Sequence, residues 1–247
     1  MQNSSLTLAT ASKAVLITVF DNYLHDTNLE TGWGFSCVVK IENKNILFDT
    51  GADGSILLNN MGKLGLDPKD MDLVVLSHIH GDHVGGLGEF LEKNVDVTVY
   101  FPASFPERFK EALEKFGAKY VDVSSPVKIS DCTASTGEMG GMIKEQSLIV
   151  KTQKGITVIT GCAHPGIVEI AERAKKLTGD KIHLVIGGFH LGGADDSSLL
   201  DIIKSLRELG VEKVAPCHCS GERARRLFER QYKSDYISNG VGKIIEI

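Results

Sequence analysis

The chain has 247 residues, of which 42% are hydrophobic and 24% charged, and its formal net charge at pH 7 is −5. This is the balance of a globular protein, and 26 Gly with no three-residue period exclude a collagen-like chain. A net negative charge gives no bulk attraction to nucleic acid or to an anionic membrane, and no apolar run approaches the roughly 20 residues that a membrane span needs.

Residues 1–12 are polar, lack a basic start and carry no long apolar stretch, so they read as a loose leader rather than a secretory signal. Residues 14–20, 35–41 and 46–48 are rich in Val, Ile and Phe and are expected as strands. Residues 55–64 place Ile56, Leu57, Met61 and Leu64 on one face of a helix. Residues 73–76 are continuously apolar, as befits a strand buried on both faces. A helix at 87–92, a strand at 97–101 and a helix at 106–116 follow, and residues 120–145 show little period. Residues 147–151 and 156–160 read as a hairpin around Gly155. Helices at 167–177, 198–209 and 222–231 then alternate with strands at 182–186, 211–215 and 243–247. Strands first and helices interleaved later point to an α/β fold of two packed sheets with helices outside.

Cys37, Cys132, Cys162, Cys217 and Cys219 are odd in number and irregular in spacing. They do not form a disulfide framework, and the expected setting is a reducing cytoplasm.

The chemistry is densest where the 73–76 strand ends, in Leu76-Ser-His-Ile-His-Gly-Asp-His-Val-Gly-Gly. His78, His80, Asp82 and His83 fall within six residues there. Alternate residues leaving a strand point to one side, and Gly81 is expected to bend the chain so that Asp82 and His83 face the same space. Imidazole nitrogen and carboxylate oxygen are what Zn²⁺ takes at about 2.0–2.2 Å, and two metals about 3.5–4 Å apart suit ligands so closely spaced. Gly85 and Gly86 are expected to let the following helix approach the site closely. Other histidines end apolar strands: His164 after Thr160-Gly-Cys-Ala, His190 in Gly187-Gly-Phe-His-Leu-Gly-Gly, and His218 in Pro216-Cys-His-Cys. Metal ligation is expected of all three.

The pattern His78-x-His80-x-Asp82-His83 resembles the signature of the metallo-β-lactamase superfamily. Phe48-Asp49-Thr50-Gly51 is similar to its early Asp motif and Pro216-Cys217-His218 to its late His motif. The resemblance implies a four-layer αββα sandwich, formed here by residues 13–247 as one domain. One or two metals would lie at the edge between the sheets, His78 and His80 serving one and Asp82 and His83 the other. Asp49 would hold the metal loop by hydrogen bonds rather than bind metal. The third-motif His of the superfamily has no counterpart, since no His lies between His83 and His164, and Glu145 or Gln146 stands near its place. Cys162 replaces the usual bridging Asp, either as a thiolate ligand or as a small buried residue.

Thr160-Gly-Cys-Ala-His-Pro-Gly, Gly187-Gly-Phe-His-Leu, Pro216-Cys-His-Cys-Ser-Gly, Asn239-Gly-Val-Gly, Asp21-Asn22 and Gly34-Phe-Ser36 resemble one subfamily more closely. It comprises the dihydropterin-6-methyl-(ribofuranosyl)aminobenzene-phosphate synthases of methanopterin biosynthesis and relatives called metal-dependent hydrolases. The resemblance implies a phosphorylated small-molecule substrate and two divalent metal ions, zinc first, with iron or manganese as alternatives. Asp82 and His190 would be catalytic, Asp82 as base as well as ligand. A di-iron redox protein on the same fold is the first alternative, weakened because such relatives carry Glu where His80 stands and a flavin domain that has no room here. A non-catalytic metal-binding protein is the second.

Among the remaining residues, Cys217 and Cys219 should face away from the metals if His218 faces them, by the period of two. His183 is expected as a core residue, and His25 either at a pocket mouth or in a surface loop. Arg223, Arg225 and Arg226 should form a solvated helix face, one of them within possible reach of a substrate phosphate.

Overall fold

The computed structural model describes residues 5–247, and residues 1–4 of the expected leader lie outside the described residues. The described chain divides into two compact units, each built on its own sheet.

One unit comprises Lys13–Ser124 and Gly240–Ile247. Its strands are β1 (Ala14–Asp21), β2 (Phe35–Ile41), β3 (Lys44–Phe48), β4 (Leu73–Val75), β5 (Thr98–Pro102) and β6 (Lys119–Val123), with the C-terminal β13 (Ile244–Glu246). They form a seven-stranded sheet in the order β13-β1-β2-β3-β4-β5-β6. β1 to β3 pair antiparallel, and β3 to β6 run parallel. The parallel strands need crossovers, and α1 (Gly54–Lys63), α2 (Gly81–Val84) with α3 (Leu87–Lys93), and α4 (Glu107–Phe116) supply them. The Asp53 side chain caps α1 by accepting from Ile56 N–H, a contact worth about 1 kcal/mol. Leu57 and Met61 of α1, Phe90 and Leu91 of α3 and Leu113 of α4 share one apolar cluster with Leu47, Val74 and Val99 of the strands. Fully burying each such side chain contributes about 1.5–3 kcal/mol.

The other unit comprises Ser125–Asn239 and the described part of Met1–Ser12. Its strands are β7 (Val127–Ser130), β8 (Thr133–Ser135), β9 (Leu148–Thr152), β10 (Gly155–Thr160), β11 (Ile182–Gly188) and β12 (Lys213–Cys217), and its helices are α5 (Ile167–Thr178), α6 (Asp196–Glu208) and α7 (Glu222–Tyr232). The sheet order is β12-β11-β10-β9-β8-β7, antiparallel from β7 to β10 and parallel from β10 to β12. Ile167, Ile170, Ala174 and Leu177 of α5, Leu199, Ile203 and Leu206 of α6 and Phe228 of α7 share a cluster with Ile156, Val158, Val185 and Val214.

Three features differ from the sequence reading. Residues 120–145, without apparent period, hold most of β6 and all of β7 and β8, because these strands are short and β7 carries an irregularity between Lys128 and Ser130 that breaks alternation. Residues 5–12, expected to be loose, are hydrogen-bonded: Leu6 N–H donates to Leu177 O, Ala9 N–H to Asp131 O and Ala11 N–H to Lys151 O, and Leu8 and Ala11 are buried. Gly81 makes no special bend; it opens α2, whose single turn carries Asp82 and His83.

No helix among the described residues is long and apolar enough to cross a membrane. None of the five cysteines is in a disulfide.

Candidate metal centre

In both units the motif residues follow the C-terminal ends of parallel strands, the usual place for sites in α/β sheets. Asp49 follows β3, and Ser77, His78 and His80 follow β4. Asp49 is fully buried and organises this loop. Its Oδ1 accepts from Ser77 N–H at 2.6 Å. Its Oδ2 accepts from the Ser77 hydroxyl at 2.7 Å and from His83 Nδ1–H at 2.7 Å. The Ser77 hydroxyl hydrogen is thereby committed to Asp49, so Ser77 Oγ accepts from His78 Nδ1–H at 2.9 Å. The donor count leaves Nε2 of both His78 and His83 as an acceptor. His78 Nε2 lies 3.1 Å from His80 Nδ1, and the His78 and His83 ring centroids are 4.2 Å apart. His83 Nε2 is 3.6 Å from the Asp82 carboxylate. His78 and His83 are buried, whereas His80 and Asp82 are half-buried. The glycine after Gly85 is required by this packing, but for a different reason than expected: a Cβ on Gly86 would lie 2.4 Å from Thr50 O, so it is the Asp49-Thr50 loop that approaches.

In the other unit the organising carboxylate is Glu145, also buried. Its Oε1 accepts from Cys162 N–H at 2.9 Å and Ala163 N–H at 2.8 Å. Its Oε2 accepts from His164 N–H and from His164 Nδ1–H, both at 2.9 Å. Both oxygens are thus engaged in clamping the loop after β10, and Glu145 is not the substitute ligand its sequence position suggested. Gln146 accepts from the Ser135 hydroxyl. With Nδ1 committed to Glu145, His164 presents Nε2.

His190 follows β11 with an exposed side chain, and its ring centroid is 4.7 Å from that of His164. His218 is buried in the 3₁₀ turn His218–Ser220 that follows β12. Asp49, Ala163, His190 and His218 adopt φ of 54°, 59°, 53° and 48°, a left-handed backbone that is costly outside glycine and gathers at functional sites. Because the strand ends at Cys217, the expected alternation stops there. Cys217 is buried and accepts from Asn239 Nδ2, but Cys219 is half-buried with Sγ 3.7 Å from Cys162 O. Hydrogen bonding with Cys162 is the largest influence on the Cys219 thiol. With a hydrogen bond from His190 and the positive field of His218, it outweighs burial and pulls the thiol down to about 5. The expectation that Cys219 turns away from the donors is therefore wrong.

His183 is a partnered core residue, with Nδ1 2.8 Å from the Glu212 carboxylate, and His25 lies exposed in a surface loop. Arg223 pairs with Asp196, Arg225 with Pro216 O, Asn239 O and Glu222, and Arg226 with Glu222. A cavity of about 280 Å³ borders His164 and His190 and is lined by Ile167, Phe189, Leu191 and Ile202. A larger cleft of about 720 Å³ is lined by Lys44, Lys69, Asp72 and Asn94, at the end of β4 opposite its histidines.

Clustered imidazoles with carboxylate-fixed tautomers, a carboxylate and thiols are the donor types that bind first-row divalent metals, so the side chains present fit such ions. The backing carboxylates Asp49 and Glu145 are the outer partners that ligating histidines characteristically have.

Comparison with known proteins agrees with this chemistry. Over 86% of its length the chain is 33% identical to the 7,8-dihydropterin-6-methyl-4-(beta-D-ribofuranosyl)-aminobenzene-5'-phosphate synthase of Methanocaldococcus jannaschii, 89% of which is covered. Among solved structures it is similar to Tm1679, a metal-dependent hydrolase of the beta-lactamase superfamily, with a TM-score of 0.78 and 29% identity over 95% of this chain and 99% of that one. It shares its fold with the metallo-beta-lactamase fold protein YhfI from Bacillus subtilis, with a TM-score of 0.71 and 14% identity over 95% of this chain and 99% of that one. Residues 34–218, which include the motifs after β3, β4, β10, β11 and β12, match the model of a single family, and the chain belongs to that metal-dependent enzyme family, the metallo-beta-lactamase superfamily.

Proposed function

We propose that the chain is a metal-dependent enzyme acting on a phosphorylated small molecule, and that it joins a reduced pterin methyl group to the amine of a ribofuranosylaminobenzene phosphate. The observation that carries this reading is the likeness to the methanogen synthase over nearly the whole of both chains. Metal is assigned to His78, His80, Asp82, His83, Cys162, His164, His190 and His218. Two divalent ions are expected, zinc first, with iron and manganese as alternatives. The expected setting is the cytoplasm.

Bound metal would neutralise phosphate oxygens and the charge that develops on a diphosphate leaving group. The chain's own residues supply the remainder. Asp49 and Glu145 hold the tautomers of His83 and His164 so that Nε2 is offered. The half-buried Asp82 carboxylate takes the proton released as the arylamine nitrogen bonds to the methylene carbon and the carbon–oxygen bond to diphosphate breaks. At about 280 Å³ the cavity beside His164 and His190 lies just below the usual size of a small-molecule site, so it would receive one ring of the substrate rather than the whole.

Phosphoester hydrolysis is the second reading, favoured by the likeness to the metal-dependent hydrolase Tm1679; water would then attack phosphorus and the phosphorus–oxygen bond to the leaving alcohol would break. Elemental analysis of the purified protein, followed by the pterin condensation and a phosphoester panel on the same sample, separates the two. Condensation product supports the first reading, and hydrolysis without condensation transfers the assignment to the second. A protein that retains no metal and performs neither reaction overturns both.

A further inference from the structure

Three adjacent parallel strands of the second unit each deliver one soft or borderline donor at their C-terminal ends. Cys162 follows β10, His190 follows β11 and Cys219 follows β12. One donor atom from each, two sulfurs and a ring nitrogen, lie within 4.8 Å of one another. The backbone is shaped to permit this. A Cβ on Gly188 would lie 2.3 Å from Gly161 O and 2.7 Å from Cys219 Sγ, so glycine alone admits both the Cys162 loop and the Cys219 sulfur. His190 and His218 take left-handed φ of 53° and 48°, and the second of these ends the strand pattern and turns Cys219 toward the other two. Cys219 is the only one of the five cysteines that is not buried, and His190 is exposed, so an ion has an entry path.

We infer that Cys162, His190 and Cys219 together bind one thiophilic divalent cation of the zinc class, through two thiolates and one imidazole. The inference deepens the metal reading above, in which Cys162 and His190 already appear; Cys219 and the sulfur-rich character are what it adds. Tetrahedral zinc with Zn–S of about 2.3 Å and Zn–N of about 2.0–2.1 Å needs its donors about 3.5–3.8 Å apart, so they close by little more than about 1 Å. Each thiol releases its proton to solvent as it binds. Three protein donors leave a fourth position open, and His190 borders the cavity described above. Two soft sulfurs select zinc, cobalt or cadmium over magnesium or manganese, which prefer oxygen.

The test uses the full-length protein, reduced and stripped with a chelator, then titrated with Co²⁺ and separately with Cd²⁺ while near-ultraviolet absorbance is followed. A saturable sulfur-to-metal charge-transfer band is expected. It should fall by about half in Cys162→Ser and in Cys219→Ser, vanish in the double variant and persist in Cys132→Ser. Metal binding without the band overturns this inference and leaves the histidine-based reading standing, whereas no binding at all overturns both. A band that survives in the double variant assigns the sulfur to another cysteine and also overturns it. Where the variants fold poorly, alkylation of the wild-type protein decides. Protection of Cys162 and Cys219 by Cd²⁺ supports the site, and equal modification with and without Cd²⁺ removes it.

Discussion

Glu145 and His164 are joined twice through one oxygen: Oε2 accepts from the His164 backbone N–H and from its ring Nδ1–H, each at 2.9 Å. One carboxylate thus fixes both the position of the residue and the tautomer of its ring. Asp49 fixes the ring tautomer of His83 and, through Ser77, that of His78. Each unit therefore prepares imidazoles with a buried carboxylate behind them.

Glu145→Ala should destabilise the protein by at least about 3 kcal/mol. It strands the N–H groups of Cys162, Ala163 and His164, each of which costs about 1–3 kcal/mol when buried without a partner. The shift of the urea midpoint measures this. A change below about 0.5 kcal/mol would show that the loop after β10 finds other partners.

Asp49→Asn should preserve the fold and weaken metal binding by about 10–100-fold. The amide keeps one acceptor oxygen but turns an NH₂ toward Ser77 Oγ or His83 Nδ1. Ring tautomers then reverse, and N–H replaces a lone pair where the metal would sit. Competition with a chromophoric chelator reads the affinity, and a wild-type value in a folded variant would sink the tautomer argument.

The sequence motifs located the donors that sit at strand ends, because an apolar run followed by Gly, His and Asp is a local signal. His78, His80, Asp82 and His83 are brought together within a few residues by β4 and α2. Glu145 was legible only as a neighbour of the missing histidine. Its actual role depends on a loop seventeen residues further along the chain, and no spacing rule links the two. Cys219 was misread because the period of two was carried past Cys217, where the strand ends in a left-handed turn. The same limit hid β7 and β8, too short for alternation to show. Local periodicity found elements, and what it missed was set by tertiary contacts.

Tyr232 offers a prediction away from the metal donors. Its hydroxyl is buried with no hydrogen-bond partner, Arg207 lies 3.7 Å over its ring, and burial pushes its pKa up to about 12. The folded state therefore holds the phenolic proton more tightly than the unfolded chain, whose tyrosine titrates near 10. Stability from this group is fully present below about pH 10 and is lost as pH rises toward 12. Tyr232→Phe should flatten that decline and leave stability at pH 7 unchanged, or higher by up to about 1 kcal/mol, since an unpaired buried hydroxyl is removed. Urea denaturation of both proteins from pH 7 to pH 11 measures it. A parallel decline in the two proteins would assign the alkaline loss to other groups.

His80 separates a metal-binding role from a structural one most cleanly. It is half-buried, and its Nδ1 is hydrogen-bonded to His78 Nε2 at 3.1 Å. That pairing joins two nitrogens which, with metal present, would both turn to the ion. In the metal-free protein the hydrogen bond lost in His80→Ala should cost about 1 kcal/mol. In the metal-loaded protein the variant loses a direct imidazole ligand. It should hold about one equivalent less metal and lose activity by orders of magnitude, since the remaining donors leave an open coordination sphere. Metal content by elemental analysis and the denaturation midpoint of the stripped protein give two independent readings. Lost metal with a midpoint shift worth no more than about 1 kcal/mol identifies a ligand. Full metal retention would show that His80 binds none, and a large loss of stability in the stripped protein would make its role structural.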